Sequence, residues 1–201
     1  MQKSPAEFDL DRVIVVGISC SGKTIFSMRL ATLLRHPRFE LDDFFWGPNW
    51  QPKPPPEFRR LAAEAAAGEC WVIDGGYGAV RQIVWPRATA VVWLNLSFIT
   101  VFGRAVRRSL KRGLTGELLH AAENRESLRR SFFSRGSILL YIMRTYSTQR
   151  RAYRDLRDSG QFPQVAWIEF RRPAEAEEFL RSLHSAQAKI AIFAFFLASL
   201  M

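Results

Sequence analysis

The chain has 201 residues, 48% of them apolar and 24% charged, with 29 basic against 19 acidic side chains for a net charge of +10. That balance describes one domain with a full core and excludes collagen-like, low-complexity and disordered classes. Two cysteines, Cys20 and Cys70, cannot build a disulfide framework, so a reduced cytoplasm is the expected compartment; the first twelve residues have no apolar stretch of the signal-peptide kind.

Arg12–Val16 is a short β-branched run and is predicted to be a buried strand. A glycine-containing turn leads into a helical pattern over 22–34, stopped by His36-Pro37. A second short strand is predicted over Phe39–Leu41. Five prolines between Trp46 and Pro56 predict an ordered loop, followed by an Ala-rich helix over Glu57–Ala67 that Gly68 ends. Strands three and four are predicted at Cys70–Ile73 and Ala90–Leu94. A helix from Ser97 to about Arg112 is expected to break at Gly113–Gly116, and a polar segment continues to Gly136. A long helix over Ser137–Asp158, a fifth strand at Val165–Phe170 and a closing helix over Ala174–Leu183 complete the pattern. Strands alternating with helices predict an α/β fold: parallel pairing through right-handed crossovers, with ligands beyond the carboxyl ends of the strands.

The last twelve residues, Ile190–Met201, contain one polar side chain, Ser199. A membrane span needs about 20 residues, so no span is expected. A helix packed on the domain, a dimer contact, a peripheral anchor and a non-native end remain open readings of this tail. The charge is uneven as well: Arg104–Arg154 holds twelve Arg and one Lys against Glu117, Glu123 and Glu126. Those arginines fit either a solvated helix face or a set of phosphate ligands, since guanidinium binds phosphate bidentately.

Gly17-Ile18-Ser19-Cys20-Ser21-Gly22-Lys23-Thr24 matches G-x-x-x-x-G-K-[ST] between a predicted strand and a predicted helix. Glycines let backbone N–H groups wrap closely around phosphate at a helix N-terminus. Gly17, Ser19, Cys20, Ser21, Gly22, Lys23 and Thr24 are therefore expected to hold the phosphates of a nucleoside triphosphate. Lys23 would reach the β- and γ-phosphates and Thr24 would ligate Mg²⁺. Cys20 is either a thiol sensitive to oxidation or a small filler.

An acid at the end of a neighbouring strand should stand near the metal, and Asp74 after Trp71-Val72-Ile73 is placed for it; a turn-forming aspartate before Gly75-Gly76 is the other reading. Asp42 and Asp43 end the second strand, where one could orient or deprotonate an acceptor hydroxyl, or cap a helix. Phe44, Phe45, Trp46 and Trp50 beside them suit either an acceptor's ring face or ordinary core.

With these residues in place, the chain resembles the adenylate-kinase-related P-loop kinase family of topology modulation proteins. The likeness rests on GISCSGKT, on Leu41-Asp42-Asp43 with Trp46-Gly47-Pro48-Asn49-Trp50, and on Trp71-Val72-Ile73-Asp74-Gly75-Gly76-Tyr77. It extends through Arg104–Arg108, Asn124–Ser127 and Arg135, covering about residues 12–183. The resemblance implies a three-layer P-loop kinase fold with a five-stranded parallel sheet in the order 2-3-1-4-5. It also implies one domain over residues 1–185 with a helical lid at 113–136, residues 186–201 standing apart as the tail. Asp74 would lie near the Mg²⁺ shell, and Arg81 would grip the acceptor. Arg104 and Arg108 would meet the donor base and its phosphates. Arg125, Arg129 and Arg135 would close on the transferring phosphoryl, and Arg172, in Arg171-Arg172-Pro173, would lie beside the adenine. The Pro/Trp-rich segment departs from the adenylate-kinase pattern, so the acceptor is not named by the likeness, and no residue here explains a role in DNA topology.

The expected activity is transfer of the γ-phosphoryl of ATP, with Mg²⁺, to a small-molecule acceptor such as a nucleotide or nucleoside. Lys23, Asp42, Asp43, Arg125 and Arg135 are the candidate catalytic groups, and Trp46 and Arg81 the candidate acceptor contacts. The alternative is an ATP-binding regulator that meets nucleic acid through its Arg-rich region, although no nucleic-acid-binding motif supports it. Oligomeric state is not indicated.

Overall fold

The computed structural model describes residues 5–115, 118–119, 124–125 and 138–198. Its strands are β1 (Arg12–Gly17), β2 (Arg38–Glu40), β3 (Trp71–Asp74), β4 (Ala90–Leu94), the two-residue β5 (Leu118–Leu119) and β6 (Asn124–Arg125), and β7 (Ala166–Phe170). Five of them form one parallel sheet in the order β2-β3-β1-β4-β7, which is the expected order with β7 as the fifth strand. β5 and β6 pair with each other as a short antiparallel ribbon. The helices are α1 (Lys23–Leu34), α2 (Leu41–Phe45), α3 (Pro55–Ala66), α4 (Arg81–Val84), α5 (Phe98–Thr115), α6 (Ile138–Asp158) and α7 (Pro173–Ala198).

Side chains alternate across each strand, and the β-branched runs are apolar on both sides because both faces are covered. Val13, Val15, Val72, Val92, Ile168 and Phe170 meet Phe26 and Leu30 of α1 and Phe179 and Leu180 of α7. Ile14, Val16, Ile73, Val91 and Trp93 point the other way, into Phe58 and Ala62 of α3, Val84 of α4 and Tyr153 and Leu156 of α6. A smaller cluster of Ile18, Leu96, Val101, Ala105 and Ile142 seats the turn after β1 on α5 and α6. Three layers result, with β1 at the centre.

Several boundaries differ from the sequence expectations. β2 and β3 each sit one residue away from the predicted strand, β2 ending at Glu40 and β3 reaching Asp74. Leu41 begins the short helix α2 instead of ending β2, so Asp42 and Asp43 occupy a first helical turn. Prolines 55 and 56 open α3, where a missing N–H costs nothing, rather than prolonging the loop. α5 runs through Gly113 to Thr115, since a glycine lowers helix stability by about 1 kcal/mol without forbidding it. α7 continues into the apolar tail as far as Ala198. Among the described residues, no helix is long and apolar enough to cross a membrane. The expected lid at 113–136 falls mostly outside the described residues, its described parts being the end of α5 and the β5–β6 ribbon.

Phe170 is fully buried between Phe26 and Phe179, with ring centroids 5.8 and 5.3 Å away. Phe170→Ala is expected to destabilise the fold by about 3–5 kcal/mol, read as a lower urea midpoint.

Candidate functional site

The turn from β1 into α1 is shaped by glycines. Gly17 adopts φ 152°, and a β-carbon there would fall 2.8 Å from Ser21 Oγ and 2.9 Å from the Leu94 carbonyl. Gly22 adopts φ 97°, and its missing side chain leaves room for the Arg104 guanidinium, 3.1 Å from where a β-carbon would lie. Between them the Ser21 N–H donates to the Ile18 carbonyl at 3.1 Å, tightening the turn. Lys23 Nζ folds back to donate to that same carbonyl at 3.3 Å. Arg104 reaches across from α5 and donates to the Ser21 carbonyl at 2.7 Å. Cys20, at φ 65°, is half-buried and packs against the cluster that seats the turn.

This turn forms one end of a cleft of about 1540 Å³ at the carboxyl ends of β1 and β3. Gly17, Ser19 to Thr24, Asp42, Asp43, Trp46, Asp74, Arg104 and Arg108 all line it. Arg81 and Arg172 do not. Arg81 lies over the Trp85 ring at 5.8 Å, and Arg172 is exposed and paired with Glu175 at 2.8 Å. Arg125 is described by its backbone alone, and Arg129 and Arg135 lie outside the described residues.

Asp74 is buried rather than turn-forming; Gly75, at φ 128°, makes the turn. Burial pushes the Asp74 carboxyl above the usual range; Lys23 pulls it down, Glu40 raises it, and the Thr24 hydroxyl and Arg38 lower it. Its Oδ2 accepts from the Ser27 hydroxyl at 3.4 Å and lies 3.6 Å from Arg38, whereas Oδ1 has no hydrogen-bond partner among the described residues. Beside it the Thr24 hydroxyl donates to Glu40 Oε1 at 3.2 Å. A buried carboxylate oxygen without a partner, next to a hydroxyl and a second carboxylate, is an all-oxygen donor set suited to a hard divalent cation such as Mg²⁺.

The loop Asp74-Gly75-Gly76-Tyr77 ties this region to the opposite wall. Gly75 packs on Leu41, whose β-carbon would be 2.9 Å from a side chain there. A β-carbon on Gly76 would overlap the Tyr153 hydroxyl of α6. The Tyr77 hydroxyl donates to Asp42 Oδ1 at 2.6 Å, and burial, then the Asp42 charge, raises the phenol above its ordinary range. Burial likewise pushes Tyr153 up to about 12, against the pull of Arg81. The aromatic wall divides between the two readings the sequence left open. Phe44 and Phe45 pack on the core, while Trp46 and Trp50, 5.7 Å apart edge to face, line the cleft.

Sequence reading missed Glu40 and the α6 wall. Glu40 ends β2 as Asp74 ends β3, so its position carried the signal, but the expected strand boundary hid it. Ile138, Tyr141, Thr145, Gln149 and Tyr153 form one stripe at helical spacing that lines the cleft with Arg144. Without the sheet beside it, that stripe looks like any other face of an arginine-rich helix.

No protein-family model matches the sequence, and no curated protein does. Solved structures do. A shikimate kinase from Bacteroides thetaiotaomicron superposes with a TM-score of 0.51 at 16% identity, over 88% of this chain and 98% of that one. The fold is that of a P-loop kinase. A gluconokinase from Sinorhizobium meliloti 1021 (16% identity, TM-score 0.46, 94% and 97% covered) and the shikimate kinase from Aquifex aeolicus (15%, 0.47, 90% and 98%) are also similar.

Behind the cleft, Glu169 accepts from Asn95 at 2.6 Å and from Arg157 and Arg171 at 2.8 Å each, anchoring the loop that leads to the cleft-lining Pro173. Burial alone would raise the Glu169 carboxyl, but hydrogen bonds from Arg171 and Asn95, with the charges of Arg171 and Arg157, hold it below its ordinary value of 4.5. A depressed acid stabilises the fold above its ordinary value, and that increment is lost as the pH falls through the lowered one. Wild type is therefore expected to melt above Glu169→Gln near neutral pH, the gap closing as the pH drops below about 4, as followed by thermal melts across pH.

Proposed function

We propose that this chain is an ATP- and Mg²⁺-dependent phosphotransferase that moves the γ-phosphoryl of ATP to a hydroxyl or phosphate oxygen of a small molecule, a nucleotide or nucleoside being the first acceptor class to test. One observation carries the reading: the phosphate turn and the Asp42/Asp43 pair line the same cleft, with buried Asp74 between them on the loop that also holds Tyr77. Phosphoryl transfer asks a protein for positioning and charge stabilisation rather than covalent chemistry, and the cleft offers both.

On this reading the N–H groups of 18–24, apart from that of Ser21, which closes the turn on the Ile18 carbonyl, bind the β- and γ-phosphates together with the Lys23 ammonium. Arg104, already bonded to the turn, and Arg108, one helical turn on, cover the donor. Thr24, Glu40 and Asp74 would hold Mg²⁺, which when bound neutralises charge on the β- and γ-phosphate oxygens. Asp42, fixed by the Tyr77 hydroxyl, accepts the proton of the acceptor hydroxyl or aims that hydroxyl at the γ-phosphorus, with Asp43 beside it. Trp46 and Trp50 offer flat faces to the acceptor. The β6 backbone at Asn124–Arg125 runs beside the Pro48–Trp50 turn, which supports a lid segment on the acceptor side; the roles of Arg125 and Arg135 in it rest on the family likeness alone. The likeness to the topology modulation family supports the same chemistry through its phosphate and Asp-Gly-Gly-Tyr motifs.

The test is ADP production from Mg-ATP against a panel of nucleoside monophosphates, nucleosides, sugars and sugar acids. Stimulation by one acceptor is expected, and Lys23→Ala should lower that rate on the order of 10²–10³-fold with folding intact. ATP binding without stimulation by any acceptor would overturn the kinase reading in favour of an ATP-binding regulator. With the stimulating acceptor, Asp42→Asn is expected to lower kcat far more than ATP affinity; equal loss of both would make Asp42 structural. Arg104→Ala should raise the ATP concentration needed for half-maximal rate.

A further inference from the structure

Arg38, the first residue of β2, does not line the cleft, yet it touches every group behind the proposed metal position. Its Nε donates to the Ser27 hydroxyl at 2.9 Å, and Nη2 donates to Glu40 Oε2 at 2.8 Å and lies 3.6 Å from Asp74 Oδ2. Each carboxylate thus gives one oxygen to Arg38. The other oxygens face the remaining side: Glu40 Oε1 takes the Thr24 hydroxyl, and Asp74 Oδ1 has no partner among the described residues.

The charges around this position are Lys23 and Arg38 against Glu40 and Asp74, which cancel. Among the described residues, no group of three His, Cys, Asp or Glu side chains is disposed to hold a metal ion. Two acids already balanced by a guanidinium have little net attraction for a free divalent cation, and a cation brought close also meets Arg38 and Lys23. Nucleotide phosphates change that sum by adding several negative charges at the Lys23 end.

We propose that Arg38 is a built-in counter-ion that aligns Glu40 and Asp74 from behind and keeps the site from taking a divalent cation until nucleotide phosphates arrive. Metal and nucleotide then enter together, and the empty site does not collect adventitious ions. Arg38 acts through the two acids and is a positioning residue. The inference rests on the assignment of Thr24, Glu40 and Asp74 to the metal in the proposed function.

Mn²⁺ serves as the probe, with free ion followed by electron paramagnetic resonance, titrated alone and with saturating ADP, and binding with ADP is counted as the ion taken up beyond a protein-free sample of the same ADP and Mn²⁺. Wild type is expected to bind Mn²⁺ at least about tenfold more weakly alone than with ADP. Arg38→Met and Arg38→Gln should each bind Mn²⁺ alone about tenfold more tightly than wild type, because two uncompensated acids then face the ion. Arg38→Gln keeps donors for Ser27 and Glu40, so it tests the charge where Arg38→Met fails to fold. Arg38→Lys should stay near wild type, and Glu40→Gln added to Arg38→Gln should return the affinity to the wild-type level. Wild type binding Mn²⁺ equally well with and without ADP, or charge-removing variants no tighter than wild type, would overturn the counter-ion role while leaving the metal site standing. If wild type holds no Mn²⁺ even with ADP, the metal assignment fails and takes this inference with it.

Discussion

There is no room for a β-carbon at Gly17. The chain leaves the central strand there with Ser21 Oγ on one side and the Leu94 carbonyl on the other, and it must turn before α1 can begin. That constraint sets the position of everything that follows: the turn lines the cleft at the mouth of the sheet, and Lys23 and Thr24 open the helix at that mouth. Because β1 lies in the middle of the sheet, the strands on either side deliver their own carboxyl ends to the same place. Glu40 and Asp74 arrive from one flank, while Leu94 buttresses the turn from the other.

Four consecutive residues then couple the two ends of the cleft. Asp74 faces the Thr24 side, Gly75 turns the chain against Leu41, Gly76 yields space to the Tyr153 hydroxyl and Tyr77 bonds Asp42. Both glycines are required by close approach, from two different helices. A shift of this loop would disturb Asp74 and Asp42 together, so the two carboxylates share one rigid element. The aromatic packing of Tyr77 against Phe45 and Phe58, at 4.7 and 5.3 Å between rings, stiffens it further.

Charges of both signs line the cleft. Lys23 and Arg104 stand at the turn with Glu40 and Asp74 beside Thr24, and Asp42 and Asp43 line the same cleft with Trp46 and Trp50. Arg38 stands outside the lining, where it keeps two carboxylates close together that would otherwise repel.

The turn from β1 into α1 was legible in the sequence because its requirements are local: glycine where φ is positive, lysine and threonine opening the next helix, a β-branched run before it. The sheet order followed from strand–helix alternation and a family likeness, since parallel strands need crossovers of one hand. Local pattern also placed Asp42, Asp43 and Asp74 at strand ends. It could not decide between their roles, because a cap, a turn and a ligand call for the same residue; burial and the Tyr77 hydroxyl settled where each carboxylate sits. Glu40 was hidden by the expected end of β2. Arg38 and the α6 stripe were hidden for a different reason: they have partners far along the chain, as Arg38 with Asp74 and Tyr153 with Gly76 show, and no spacing records such a contact. Arg81 and Arg172 were named by likeness, yet here they turn to Trp85 and Glu175, near neighbours in sequence that offered them a ring face and a carboxylate. What the sequence determined by itself is the glycine turn from β1 into α1 and the layered fold, both products of backbone sterics and periodic burial. Which acids meet, which arginine balances them and which helix face closes the cleft were decided only when distant segments packed together.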